Sequence, residues 1–280
     1  MYITSFYSFK GGVGRSLALV NVGIELAKRN HRVLLVDFDL EAPGLDTVNA
    51  LKSTKNSLGV VDFVNSYLTT GKADVVEEYV RECKPPNLDK GSIWLMPAGY
   101  SKLGYVNSYL NIDWEDLYTN QNGFLLMEEL KQQWKKYIQP DYVLIDSPTG
   151  HTDVGSICTR HIPDAVAIFF FPNEENLRGI NRVVSGIKME RENLRKKHIN
   201  LYFVMSNVPD LEESPKLLKK SLNDFKRQLD LEEEPIVVHH YNSLSLLTRE
   251  VFTQRHPTSR LANEYRQIVD RIVNGNDVIE

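Results

Sequence analysis

Lys10, Gly11, Gly12, Gly14, Arg15 and Ser16 fall within the seven residues "KGGVGRS". Glycines at this density let a backbone approach an anion with no Cβ in the way. Unpaired amides where such a loop opens a helix point at phosphate oxygens, and a hydroxyl in the first helical turn suits Mg²⁺. A tight turn alone would also need these glycines. Four further features select the anion site: the β-prone "MYITSFYSF" (1–9) precedes the loop, a helical pattern follows, a basic residue stands directly before Ser16, and acid-ended strands lie downstream. The acids are Asp37 and Asp39 in "HRVLLVDFDL" and Asp146 closing "YVLID". A carboxylate at a strand end holds Mg²⁺, commonly through one of the metal's waters, although a single such Asp often caps a turn or helix instead.

The elements that must position these groups follow from periodicity. Leu17, Val20, Ile24 and Ala27 recur at helical spacing between Ser16 and Arg29. Continuous apolar runs at 31–40, 92–99, 141–150, 164–175 and 199–210, with a weaker one at 234–242, have the form of parallel strands buried on both faces. Helix-like stretches lie near 58–82, 124–138, 174–197, 213–229 and 258–273. Strands alternating with helices predict an α/β fold, a mostly parallel twisted sheet flanked by helices on both faces. No repeat or low-complexity linker divides residues 1–280, so one domain is expected. A Tyr- and Asn-rich excursion at about 98–122 breaks the rhythm. A surface excursion packed by its own aromatics is one reading of it, and a partner-binding surface or lid is the other.

Composition narrows the setting. Hydrophobic content of 42%, charged content of 25% and a net charge of -4 describe an ordinary globular chain with no global field toward nucleic acid or membrane. No signal peptide and no apolar run of membrane-spanning length is seen. Cys83 and Cys158 lie far apart with no metal spacing, so a reduced, cytoplasmic location is expected.

"KGGVGRS" resembles the deviant phosphate loop, K-G-G-x-x-K-[ST], of the MinD/ParA group of P-loop ATPases. "VLLVDFDLEAPGLD" resembles the group's switch I, with Asp37 and Asp39 in its D-x-D, and "DYVLIDSPTGHTDVG" its Walker B and switch II. "IPDAVAIFFFPNEENLRGINRVV" and "YFVMSNVPD" follow in the family's order, so the resemblance extends over nearly the whole chain. It implies ATP and Mg²⁺ as ligands. Gly11, Gly12, Val13, Gly14, Arg15, Ser16 and Leu17 would cradle the nucleotide, and Asn207 would contact adenine. Ser16 and Asp146 would hold the metal, with Asp37 behind them, and Asp39 would position or activate the attacking water. Gly150 and Asp153 lie where switch II would sense the γ-phosphate. Lys10, by the same resemblance, reaches across a nucleotide-sandwich dimer to the partner's phosphates.

Arg15 departs from the family pattern, which has lysine there. Its planar fork keeps the charge but binds two oxygens bidentately, which alters how phosphates sit and makes slow hydrolysis the expectation. The implied function is an ATP-dependent dimerising switch that hydrolyses slowly and controls a partner protein in positioning, partition or a regulatory or defence role. The alternatives are a metabolic or reductase-type ATPase on the same fold, or a nucleotide-binding scaffold without hydrolysis. DNA binding is not favoured: Lys188, Arg191 and Arg195 share a helical stripe, but Glu190 and Glu192 interleave with them. Leu261, Tyr265, Ile268 and Ile272 predict a core-facing terminal helix rather than a membrane anchor.

Overall fold

In the computed structural model, residues 1–52, 58–100, 104–190, 198–209, 215–231, 233–241 and 250–277 are described. Chain order gives β1 (Tyr2–Ser8), α1 (Arg15–Lys28), β2 (Arg32–Asp37), α2 (Val60–Thr70), β3 (Arg81–Cys83), β4 (Ser92–Met96), α3 (Tyr105–Leu110), α4 (Trp114–Asn120), α5 (Gly123–Gln133), β5 (Tyr142–Asp146), α6 (Asp153–Ser156), β6 (Ala165–Phe170), α7 (Glu174–Glu190), β7 (Asn200–Val208), α8 (Pro215–Gln228), β8 (Ile236–His239), α9 (Phe252–Arg255) and α10 (Arg260–Asp277). The strands form one eight-stranded sheet in the order β3-β4-β2-β5-β1-β6-β7-β8. All pairings are parallel except β3 with β4.

Both faces of the sheet are covered, which is why its strands read as unbroken apolar runs. Along β2, Val33 and Leu35 join one core with α1 and α10, while Leu34 and Val36 join the opposite core under α2, α4 and α5. The second face continues beneath α7 and α8, where Val166, Ile168 and Phe170 of β6 meet Ile180, Val184 and Phe225. Leu261, Tyr265, Ile268 and Ile272 are buried against the first core, as their spacing requires. Gly23 lies close on the sheet where α1 crosses it: a Cβ there would stand 2.8 Å from the Leu35 Cδ2 methyl, which would have to shift.

Two stretches depart from the periodicity. The helix expected over 58–82 ends at Thr70, because Gly71 turns into the left-handed region at φ 70° and closes it with its N–H on the Tyr67 carbonyl. A 3₁₀ turn (Val76–Glu78) and the edge strand β3 follow instead. The 98–122 excursion holds α3 and α4, the latter capped by the Asp113 carboxylate on the Asp116 N–H. Trp114 and Leu117 are buried in the core, and Tyr105, Tyr109 and Tyr118 pack against it. Of the basic stripe, Lys188 lies in α7, whereas Arg191 and Arg195 are outside the described residues. Among the described residues, no helix is long and apolar enough to cross a membrane.

Candidate functional site

The sheet order brings the chemistry together. β5 lies between β1 and β2, and the register sets Asp146 beside Phe6 on one side and Asp37 on the other. Their carboxyl ends therefore open at one place, where the β1–α1 loop crosses. Gly12 and Gly14 both hold φ 77°, a left-handed geometry that only glycine adopts without strain. A Cβ on Gly11, Gly12 or Gly14 would meet nothing within 4 Å, so the loop faces open space. That space is a cleft of about 410 Å³, lined by residues 11–17 of the loop with Ser8, Asp39, Glu41 and Thr149.

Arg15 reaches inward from the first turn of α1. Its Nε donates to Asp146 Oδ1 at 2.6 Å and its Nη2 to Asp39 Oδ2 at 2.7 Å, while Nη1 lies 3.5 Å from Ser8 Oγ. The side chain is 6% exposed. Burial alone would weaken its hold on a proton, but the two carboxylates outweigh that and fix the guanidinium as charged. Asp39 is pushed above the usual carboxylate range by burial, with Arg15 opposing the shift.

Asp37 is differently employed. One of its oxygens accepts the Asp39 N–H at 3.2 Å, and the other accepts the Gly44 and Leu45 N–H groups at 3.1 Å each. It anchors the turn that carries Asp39 and Glu41, and burial followed by the neighbouring Asp146 pushes its carboxyl up to about 8. In this arrangement both Asp37 oxygens are spent on the backbone N–H groups of that turn.

The remaining expected residues surround this centre. Ser16 and Leu17 line the cleft with Val13. Asn207, at φ 53°, donates its Nδ2 to the Gly12 carbonyl at 2.8 Å, so in this arrangement its amide braces the phosphate loop. Lys10 pairs with Glu175 of α7 at 2.7 Å. Beneath it the Phe9 ring seats on Gly179, where a Cβ would lie 2.2 Å from the ring. Gly150 donates its N–H to the Ser8 carbonyl at 3.4 Å and accepts the Tyr7 hydroxyl at 3.0 Å, which ties the 146–153 segment to β1. Asp153 opens α6, behind the Thr152 cap.

Sequence reasoning missed several participants. Glu41 and Thr149 line the cleft, and their places beside Asp39 and Gly150 in the two acid-ended segments were the available signal. Tyr105 donates its hydroxyl to the Leu40 carbonyl at 2.9 Å and Tyr109 donates to Glu41 at 3.1 Å, so the excursion grips the segment after β2. Glu175 gave no signal. Among the described residues, no three His, Cys, Asp or Glu side chains form a metal cage. Ser16 lines the cleft and the Asp146 carboxylate stands behind it on Arg15, oxygen donors of the kind taken by Mg²⁺, a hard cation that keeps its waters and needs few protein ligands.

A family model described as an AAA domain matches residues 1–201. An uncharacterised ATP-binding protein of Methanocaldococcus jannaschii is 26% identical over all of this chain and 91% of its own length. A putative septum site-determining protein MinD of Emiliania huxleyi is 26% identical over 63% of this chain, and the match spans only about half of that relative, 54%. Among solved structures, an ATP complex of a Cyanothece McdA variant superposes with TM-score 0.72 at 17% identity, over 98% of this chain and 96% of the other. Pyrococcus horikoshii MinD complexed with Mg-ADP gives 0.68 at 17%, over 97% and 95%. The MinC:MinD complex of Aquifex aeolicus gives 0.67 at 20%, over 98% and 96%. The structural likenesses carry the fold, the family match covers the loop and both acid-ended strands, and the chain belongs to the MinD/ParA-type P-loop ATPases.

Proposed function

We propose that residues 1–280 work as one domain, a cytoplasmic ATP-dependent switch that dimerises around bound nucleotide and hydrolyses it slowly to time the release of a partner protein. The observation that carries this reading is the open glycine loop with a guanidinium held between the Asp39 and Asp146 carboxylates at its back. Loop amides at 11–17 would receive the phosphates, and Ser16 and Asp146 would hold Mg²⁺. When bound, that ion supplies charge neutralisation at the phosphoryl group. Asp39 lines the cleft and has the elevated proton affinity that a general base requires. Lys10 stands exposed at the outer lip, available to a second copy. The Mg-ADP and ATP complexes of the MinD and McdA structures support the ligand assignment by likeness, and the MinC:MinD complex supports a protein partner in the same way.

A second reading, nucleotide binding without hydrolysis, is favoured by one observation: Arg15 already engages the acid assigned to the attacking water. Phosphate release separates the two. Wild type should turn over slowly with Mg²⁺, and Asp39→Ala should lower that rate by roughly 10²-fold or more while ATP affinity with Mg²⁺ stays within a few-fold. Tight binding with no release in wild type establishes the scaffold instead, and normal turnover in Asp39→Ala removes Asp39 from the chemistry.

A further inference from the structure

Asp39 and Asp146 approach one another closely enough to share a single guanidinium, with side chains 17% and 2% exposed. Two carboxylates so placed repel each other and lose hydration, and both costs fall only when a cation joins them. Among the described residues, no other ion pair reaches either acid. Arg15 commits its Nε to one and its Nη2 to the other. The same residue occupies the loop position from which a cation would be wanted at the phosphates. One guanidinium cannot hold both carboxylates through that edge and also turn it to a nucleotide.

We propose that Arg15 is an internal stand-in for the divalent metal: it neutralises Asp39 and Asp146 in the ligand-free chain, and Mg²⁺ arriving with nucleotide takes over Asp146, offsets the nearby charge of Asp39 and releases the guanidinium to the phosphates. The exchange rests on the ATPase reading. Nucleotide without metal binds poorly, because drawing Arg15 away strands two carboxylates beside a polyanion. Metal without nucleotide binds poorly, because Arg15 already occupies the acids. The two ligands together satisfy every charge, so each strengthens the other's binding. Arginine suits this role better than lysine, since a planar fork spans two separate carboxylates and a compact ammonium holds one at a time. Arg15 is thus a positioning residue as well as a phosphate ligand.

The first test uses Mg²⁺ alone, without nucleotide. Thermal melting of wild type should not respond to millimolar Mg²⁺. Arg15→Met should melt about 10 °C lower, the scale of leaving buried charge uncompensated, and millimolar Mg²⁺ should recover at least half of that loss. An equal response to Mg²⁺ in wild type and Arg15→Met overturns the exchange. The second test does not depend on Arg15→Met folding. Asp39→Asn keeps the Arg15–Asp146 pair but strands less charge when Arg15 leaves, so a fluorescent ADP analogue in EDTA should bind it roughly 10-fold more tightly than wild type. Affinity with Mg²⁺ should change much less. Unchanged or weaker metal-free binding overturns the proposal. If Mg²⁺ rescues Arg15→Met while no form of the chain binds nucleotide, the ATPase reading falls and the place of Arg15 as the cation of these acids stands.

Discussion

Lys10 and Arg15 belong to one loop, yet they live in different media. Arg15 is 6% exposed and held by two carboxylates that are themselves largely buried. Lys10 is 49% exposed and its partner Glu175 is 67% exposed. At the inner wall, breaking the ion pair leaves charge without water, which costs several kcal/mol. At the outer lip, water replaces a lost partner almost without penalty, and such pairs contribute roughly 0–1 kcal/mol. The inner cation is committed and moves only when another cation replaces it. The outer one is lightly parked and free to be handed to something else.

The largest expected effect tests the freedom of the outer cation. Lys10→Ala should leave nucleotide binding to the monomer in place, because the loop amides and Arg15 remain, and should abolish ATP-dependent dimerisation and most turnover. Sedimentation with a slowly hydrolysed ATP analogue checks it, and an unchanged dimer fraction would return Lys10 to the role of a surface residue.

A smaller effect lies at the inner wall. Asp37, with its carboxyl pushed up to about 8 by burial and then by Asp146, keeps in the folded state a proton that the unfolded chain releases near its ordinary carboxylate range. Its contribution to stability is therefore full below about pH 4 and is lost as pH rises through about 8. Unfolding free energy should fall between about pH 5 and 8 by up to ~1.4 kcal/mol per pH unit for this one proton. Asp37→Asn should flatten that slope in denaturant titrations across the range. Equal slopes would show that Asp37 is ionised in the fold.

The smallest effect sharpens the contrast. Glu175→Gln should change unfolding free energy by less than about 1 kcal/mol, and should leave the dimer formed with ATP intact or raise its fraction a few-fold by freeing Lys10. A loss of several kcal/mol in denaturant titration would mean that inner wall and outer lip do not differ as described.

How legible each region was follows from what kind of interaction builds it. The apolar runs of β2, β5 and β6 announced a covered parallel sheet because both faces of each strand are buried. β3 could not announce itself: three residues, Arg81–Cys83, carry no period, and the strand exists because β4 offers an edge. In the excursion, Asp113 and Asp116 spelled out a helix start that the surrounding tyrosines and asparagines obscured. The glycine loop was readable from local chemistry. The grip of Arg15 on Asp146 was not, since it depends on β5 lying between β1 and β2, a fact of sheet order that no local window contains. Glu175 lay further still from reach, because its tie to Lys10 depends on where α7 begins beside the loop.

The central position of β1 also bears on how this protein comes into being. The strand made first pairs with β5 at Tyr142–Asp146 and with β6 beginning at Ala165, and both neighbours are synthesised long after it. Until those residues have emerged, β1 is an apolar segment with no partner on either side, and the phosphate loop that follows it has no floor. Contacts so distant along the chain are slow to form, and a nascent segment left unpaired for that long is exposed to misassociation. Truncation before β5 therefore removes more than a C-terminal portion: it leaves β1 without either of its sheet neighbours and the cleft without Asp146 behind it and Thr149 at its edge.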